Sequence, residues 1–361
     1  MKLINQVDIF LFILTIITTA LFTAFVRKIL LLADISDNPI ISEHRSKTGT
    51  PTMGGFGILL GMLLLTLLTI NMNANSYLIV TTLMMIVGGF FGAFDDLIGF
   101  KIKEYQKVVL NTGTTNLQIG KLNLGPGEEA RITSDKAKKD YKLLIAENKI
   151  KLVDEIPIKN EESELQKIGV QILVSVFLLL TGLVSSTIWG FDLGLFMIPL
   201  VIFAVVGSIN SVNLIDGMDG LAAGIIGIAS LASALYASVM VGSVSALPFI
   251  IMSGASFGFL ILNSYPAKIF MGDIGSFALG TGYITAALIG DTFIFSVILL
   301  SVPIVSILIS LLHRAHIIKL PIEPLHHALN YYGMSEQKII ILYWGVTLIV
   351  AIIALLIFGI I

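Results

Sequence analysis

The sequence predicts an all-α polytopic membrane protein with about ten transmembrane helices, both termini outside and a small mixed insertion on the cytosolic side. Three observations support this prediction. Of the 361 residues, 56% are hydrophobic and only 13% are charged, whereas an ordinary soluble domain carries about 25% charged residues. The apolar residues also fall in runs of about 20, the length that a bilayer core of about 30 Å requires.

The apolar runs form ten predicted segments. The first follows a lone Lys2 and could be mistaken for a signal peptide, but its apolar run is too long and no small-residue cleavage site follows, so a helix is predicted. In chain order the segments are roughly 8–33, 54–71, 77–94, 168–189, 194–211, 219–241, 244–262, 275–290, 292–313 and 338–361.

The Lys and Arg residues set the predicted orientation. All of them except Lys2 lie at or in alternate loops, while loops such as 71–77 and 241–246 contain none. The positive-inside rule therefore predicts ten spans, five inner loops and both ends outside. Cysteine is absent from the sequence, which excludes disulfides and thiolate metal sites.

The predicted organisation has three parts. Transmembrane helices 1–3, with a cytosolic loop at 34–53, occupy residues 1–100, and helices 4–10 with further cytosolic loops occupy 168–361. The insertion 101–167 contains alternating runs at 116–124, a Gly-Pro-Gly turn at 125–127 and a helix-like stretch near 136–148. A small domain of mixed structure and a solvated flexible loop are both open for this insertion.

Five acids are predicted to reach one membrane face: Asp95, Asp96, Asp216, Asp219 and Asp273. A charge near the hydrocarbon costs several kcal/mol unless it is paired, and clustered carboxylates repel one another unless a cation is present. Oxygen ligands without cysteine favour Mg²⁺, with Mn²⁺ as the alternative. This face is therefore predicted to hold a metal-bound phosphate compound. Helix caps and Asp-Gly turns are the simpler alternative.

Glycines and cations near these acids suit phosphate binding. Glycines in 52–55, 216–220 and 271–276 lie where loops enter helices, so that backbone N–H groups can approach an anion. Phosphates could be neutralised by Lys47, Lys268, Arg314 and the pair His326–His327. Phe270 and Asn263 could supply an aromatic platform and an amide for a nucleobase, with simple packing as the alternative for Phe270.

Five segments resemble, in order, the cytoplasmic motifs of the polyprenyl-phosphate N-acetylhexosamine-1-phosphate transferases. They are PTMGG (51–55), FDDLIG (94–99), NSVNLIDGMDGLAAG (210–224), PAKIFMGDIGS (266–276) and PLHHALNYYG (324–333). Within that superfamily, GTPTMGG (49–55) and the spacing from Pro324 to Gly333 are most similar to the phospho-N-acetylmuramoyl-pentapeptide-transferases. The resemblance implies a Mg²⁺-dependent enzyme that moves a sugar-1-phosphate from a UDP-sugar to a polyprenyl phosphate and releases UMP.

The resemblance also implies roles for individual residues. Asp273 would bind the metal, and Asp95 and Asp96 would lie beside the metal and the lipid phosphate. Because adjacent helix residues point about 100° apart, we expect the two acids to differ in role, with Asp95 as proton acceptor for the lipid phosphate and Asp96 at the metal. His326 and His327 match the histidine motif and join these acids as catalytic candidates. The resemblance implies that Lys47, Asn263, Phe270 and Asp219 hold the uridine. The full set of candidate substrate-binding residues is Lys47, Thr52, Asn210, Asn213, Asp216, Asp219, Asn263, Lys268 and Phe270.

Two departures from the family pattern leave the donor open. Ala328 replaces a third histidine, Asn330 stands where an acid is expected, and the insertion 101–167 is unusually long. The donor could be an N-acetylmuramoyl-pentapeptide-like precursor, a related archaeal-type wall precursor or plain UDP-N-acetylglucosamine. The expected partners are a polyprenyl phosphate, a UDP-linked aminosugar and the lipid bilayer. No nucleic acid is expected, and a homodimer is left open. The expected location is the plasma membrane, with the active site on the cytoplasmic face.

Other classes fit less well. A transporter predicts acids near the bilayer midplane, but these acids lie at one edge. A CDP-alcohol phosphotransferase requires an Arg shortly after the first Asp-Gly, whereas Leu-Ala-Ala follows Asp219-Gly220. A prenyl synthase requires DDxxD, whereas Leu-Ile-Gly follows the acid pair at 95–96.

Overall fold

The computed structural model describes residues 5–36, 49–70, 75–99, 102–113, 115–119, 122–132, 135–159 and 164–361. The chain divides into two compact units, a large helical unit and a smaller unit whose main part is Leu97–Glu162.

The helices follow the apolar runs of the sequence. They are α1 (Gln6–Leu32), α2 (Gly55–Ile70), α3 (Ser76–Gly99), α4 (Asp135–Ala146, in the smaller unit), α5 (Glu164–Leu180), α6 (Met197–Ile215), α7 (Leu221–Met240), α8 (Ser243–Asn263), α9 (Gly272–Ile289), α10 (Phe293–Leu299), α11 (Ser301–Arg314), α12 (Leu325–Tyr331) and α13 (Glu336–Ile357). Each of the ten predicted segments coincides with one or two of these helices.

The described helices are those of a polytopic membrane protein. Six of them, α1, α3, α6, α7, α8 and α13, lie in stretches that are long and apolar enough to cross a bilayer. A seventh is present if the bent pair α10–α11 forms one span. Helices α2 and α5 are apolar but shorter. Helix α9 lies at the centre, against α2, α6 and α8, and every residue from Ile274 to Ile289 is buried.

Glycines allow α3 to lie directly against α9. A Cβ added at Gly92 would lie 2.5 Å from the carbonyl carbon of Asp273, and one added at Gly89 would lie 3.1 Å from the carbonyl oxygen of Ile274. Small residues at helix contacts let backbones approach closely, as is common in membrane proteins. The run GGFFG at 88–92 therefore brings the end of α3, with its two acids, to the start of α9.

Two predicted segments differ from the structure. Segment 292–313 is not one straight helix, because α10 and α11 meet at a bend of 66° near Leu300. Pro303, the third residue of α11, has no N–H for the preceding turn, and its ring clashes with the carbonyl four residues earlier. Segment 168–189 is too long: α5 ends at Leu180, Gly182 has a φ of +68°, and a hairpin of β6 (Thr187–Ile188) and β7 (Phe191–Asp192) follows.

The smaller unit has mixed structure. Strands β1 (Ile102–Asn111), β4 (Glu129–Arg131) and β5 (Ile150–Lys159) form an antiparallel sheet in the order β4-β1-β5, and β2 (Leu117–Ile119) pairs with β3 (Leu122–Leu124). A separate apolar core lies in this unit, made of Val109, Ile119, Leu124, Ile132, Ala137 and Ile150.

Candidate active site

Asp96 caps the start of α9. Its carboxylate accepts hydrogen bonds from the backbone N–H groups of Asp273 (3.0 Å) and Ile274 (3.1 Å). The first N–H groups of a helix have no partner within the helix, and an acid there also complements the helix dipole. Gly272 makes this approach possible, since its φ is +72° and a Cβ would lie 2.7 Å from Asp96 Oδ2. Asp96 therefore fixes the backbone that carries Asp273.

Asn213 orients the Asp273 side chain. Its Nδ2 donates to Asp273 Oδ1 (2.6 Å) and to Ser276 Oγ (3.0 Å). Asn213 lies in the last turns of α6 and Asp273 in the first turn of α9, so this contact joins the two helices at the acidic end of the bundle. The Asp273 side chain remains partly exposed.

Asp95 has a different partner from its neighbour. It is 8% exposed and forms an ion pair with Lys167 at the start of α5. Adjacent helix residues point about 100° apart, so Asp95 can reach Lys167 on α5 as well as the Asp273 carboxyl group, while Asp96 lies against the backbone at the start of α9. The carboxyl group of Asp273 lies close enough to Asp95 and Asp96 to interact with both electrostatically.

Asp216 and Asp219 complete the cluster from the turn between α6 and α7. The pKa of Asp216 is raised well above its usual range, first because burial disfavours the charged carboxylate and then because Asp273, Asp96 and Asp219 are negative neighbours. Asp219 is 4% exposed. The structure thus brings all five acids together around the first turn of α9.

The segment 51–55 pairs with the segment that precedes α9. Gly54 N–H donates to the carbonyl of Phe270 (2.8 Å), Gly55 N–H to that of Met271 (2.9 Å), and Phe270 N–H to that of Pro51 (2.7 Å). The prediction that the N–H groups of this glycine pair face an anion is therefore wrong, since the protein backbone already accepts them. Thr52 lies in this paired segment and is partly exposed. Lys47 lies outside the described residues.

The predicted nucleoside residues lie together between α8 and α9. Asn263 is 3% exposed; its Nδ2 donates to Ile269 O (2.9 Å), while its Oδ1 is buried and accepts no hydrogen bond in the described part of the chain. Phe270 is partly exposed and Lys268 is exposed. A buried, unpaired amide oxygen is costly, and a ligand N–H donor would relieve that cost.

The Asn210 side chain forms hydrogen bonds with α5 and within α6. Its Nδ2 donates to Gln171 Oε1 (2.6 Å) and to Val206 O (2.8 Å). Gln171 is 1% exposed and lies on α5. The Asn210 side chain thus links α5 to α6.

The histidine pair packs on the same turn as the acids. His326 is fully buried and its ring lies 4.4 Å from that of His327. A Cβ at Gly217 would lie 2.6 Å from His326 Nε2. Burial, and then the charge of His327, lower the pKa of His326 to about 3, so that His326 is neutral at physiological pH.

Two contacts of the cluster were not predicted from the sequence. Lys167 was assigned to the insertion, and Glu336, whose Oε1 accepts the N–H of Asp219 (3.0 Å), was given no role. Two sequence signals could have identified Lys167 and Glu336. Lys167 is a lone Lys immediately before an apolar run, and Glu336 is a Glu at the start of one.

The chain is similar in sequence to known proteins. The profile of glycosyl transferase family 4 matches residues 152–291. A Methanothermobacter thermautotrophicus protein, provisionally named phospho-N-acetylmuramoyl-pentapeptide-transferase, is 51% identical over 348 residues, which cover 96% of this chain and 97% of that protein. Proteins named phospho-N-acetylmuramoyl-pentapeptide-transferase from Halalkalibacterium halodurans and Anoxybacillus flavithermus are 31% and 33% identical, each covering 95% of this chain and 94% of the relative.

Proposed function

Since this chain belongs to the phospho-N-acetylmuramoyl-pentapeptide-transferase family, a group of phospho-sugar transferases, we propose that it transfers a sugar-1-phosphate from a UDP-linked aminosugar to a polyprenyl phosphate and releases UMP. The observation that supports this most strongly is the gathering of five carboxylates around the first turn of α9. A related donor, UDP-N-acetylglucosamine, is the alternative, because Ala328 and Asn330 stand where the family shows a histidine and an acid.

The reaction brings two anions together, which explains the need for a cation. Two phosphate groups with about two charges each, roughly 5 Å apart, repel by about 3 kcal/mol in water and about 13 kcal/mol at an effective dielectric of 20. A protein site that brings them into contact must neutralise most of this repulsion.

The donor set suits Mg²⁺ that is shared with substrate. Among the described residues, no group of three or more His, Asp or Glu side chains is arranged to hold a metal ion by itself. Mg²⁺ is usually held by one or two carboxylates and completes its shell with water and substrate phosphates. Asp273 is the foremost ligand, and Asp96 beside it can contribute because a carboxylate has about four lone-pair sites. When bound, the ion would neutralise the charge of the pyrophosphate.

The protein residues around the metal site have separate roles in the proposed reaction. Asn213 holds the Asp273 carboxylate in place, and Asp96 holds its backbone. We assign Asp95 the role of proton acceptor for the lipid phosphate, and Lys167 compensates the charge of Asp95. A lipid phosphate oxygen would then attack the sugar-linked phosphorus, while the bond between that phosphorus and the UMP oxygen breaks. A two-step route through an aspartyl-phosphate is the rival mechanism.

The donor nucleoside would lie on the segment between α8 and α9. Phe270 offers a ring face, Asn263 offers an unpaired amide oxygen, and Lys268 offers a positive charge close to the phosphates. Asp219 lies beside this segment and accepts the N–H of Ala267 (2.9 Å). Lys47, Thr52 and Asp216 are proposed to complete the donor contacts.

The membrane arrangement follows from the charges. We infer ten spans with both termini outside the plasma membrane, so that the acids face the cytoplasm. The ends of α3 and α6 and the start of α9, which carry the acids, then lie at one membrane edge, and the predicted inner loops hold nearly all the cations.

A direct assay tests this function. Purified protein with Mg²⁺, undecaprenyl phosphate and a panel of UDP-aminosugars should release UMP with at least one donor. Asp273→Asn should lower the rate by about 100-fold or more, whereas Asp192→Asn, which changes an exposed acid in β7, should leave it unchanged. The donor assignment fails if no member of the panel releases UMP. A phospho-enzyme formed from labelled donor without lipid would favour the two-step route.

A further inference from the structure

Glu336, in the first turn of α13, contacts the turn between α6 and α7, at Asp219. The two residues are 117 positions apart in the sequence. Its Oε1 accepts the backbone N–H of Asp219 at 3.0 Å. A carboxylate that accepts a backbone N–H forms one of the stronger hydrogen bonds in proteins. The contact therefore fixes the backbone at Asp219.

Asp219 in turn forms a hydrogen bond with the segment between α8 and α9. Its backbone is held by Glu336, and its own Oδ2 accepts the N–H of Ala267 at 2.9 Å. Ala267 precedes Lys268 and lies between Asn263 and Phe270. The two hydrogen bonds in series thus connect α13 to the segment that is proposed to hold the nucleoside.

A second contact from α13 holds the other end of the same turn. Two turns further along α13, Trp344 Nε1 donates to Leu221 O at 3.3 Å. Gly224, which has no side chain, leaves room for the Trp344 ring. Between these contacts, Gly220 has a φ of +76°, a conformation that glycine adopts more readily than other residues. The two contacts from α13 thus hold the turn on either side of Gly220.

We propose that Glu336 is a positioning residue for the donor half of the site, acting through Asp219 on the segment 263–270. This inference rests on the proposed function. It assigns Glu336 no contact with substrate, and it predicts an effect on the UDP-sugar that is separate from any effect on the lipid.

The competing explanation is that Glu336 only stabilises α13. An acid in the first turn of a helix interacts favourably with the helix dipole. That effect depends on the charge of the side chain rather than on its length. Two substitutions separate the two explanations. Glu336→Gln keeps the length and the acceptor oxygen but loses the charge, whereas Glu336→Asp keeps the charge but is shorter by one methylene.

The experiment measures KM for the UDP-sugar, KM for the polyprenyl phosphate and kcat for each variant. Glu336→Asp and Glu336→Ala should raise KM for the UDP-sugar about tenfold, with KM for the lipid within twofold of wild type. Glu336→Gln should restore the donor KM to within about threefold of wild type. Gln337→Ala, which changes the exposed neighbour on α13, is the matched control and should have no effect.

Three results would overturn the inference: an unchanged donor KM in Glu336→Asp, a Gln variant as impaired as the Ala variant, or parallel changes in both substrate constants. If Glu336→Ala does not fold, the Asp and Gln pair decides the question alone. Wild-type protein that releases no UMP from any donor would instead overturn the proposed function itself.

Discussion

Replacing Gly92 with alanine should displace Asp273 and thereby reduce the reaction rate. The added Cβ would lie 2.5 Å from the carbonyl carbon of Asp273 and 2.7 Å from the backbone nitrogen of Ile274. Non-bonded carbon atoms normally approach to about 3.5 Å, so the start of α9 and the end of α3 must separate by about 1 Å. A misplacement of that size can cost about 100-fold in rate, and the overpacking should cost about 1–3 kcal/mol in stability.

The assay is UMP release by the purified variant, with its melting temperature measured in parallel. Gly99→Ala is the control, because Gly99 lies on the same helix and no atom of the described residues lies within 4 Å of an added Cβ. It should retain activity within about twofold. If folded Gly92→Ala protein also retained activity within threefold, close contact between α3 and α9 would not be what positions Asp273.

Three further predictions follow from single contacts. Asp96→Ala should lower stability by about 0.5–2 kcal/mol through loss of the cap on α9, and Asp96→Asn should lower it by less. Equal melting temperatures for both variants and wild type would show that the cap does not contribute to stability. Lys167→Met should leave Asp95 buried without this ion pair and lower the free energy of unfolding by about 1–3 kcal/mol. The loss should be smaller than for a fully buried pair, because the Lys167 side chain is 27% exposed. The double variant with Asp95→Asn should recover most of this stability, and no recovery would argue against direct coupling. His326 has a folded-state pKa of about 3 against about 6.5 when unfolded, so its contribution to stability is lost as pH falls from about 6.5 towards 3. The loss reaches about 1.4 kcal/mol at pH 5.5. Melting curves at pH 7.5 and 5.5 should therefore show a smaller acid shift for His326→Gln than for wild type, and an equal shift would contradict a buried neutral histidine.

The features that the sequence predicts well are local or topological. Apolar runs indicate their own helices, and the alternation of charged and uncharged loops predicts which helix ends lie on the same side. Five acids at the ends of α3, α6 and α9 could therefore be placed together without knowing any contact. The break between α10 and α11 carried a local signal as well, in Pro303, and was missed.

The contacts that orient the acids are not local. Lys167 meets Asp95 across the whole insertion, and Glu336 meets Asp219 across 117 residues. Hydropathy and charge patterns cannot specify such pairs, because each depends on how helices pack. The same holds for Gly54, whose N–H finds the carbonyl of Phe270, and for Asn210, whose partner Gln171 lies on another helix.

We propose that the acids around α9 bind a divalent cation. Mn²⁺ can replace Mg²⁺ as a spectroscopic probe, and electron paramagnetic resonance can count the ions bound to purified protein in the presence of UDP. We expect one bound Mn²⁺ per chain for wild type and for Asp192→Asn, and loss of that ion in Asp273→Asn. Undiminished Mn²⁺ binding by folded Asp273→Asn protein would contradict it.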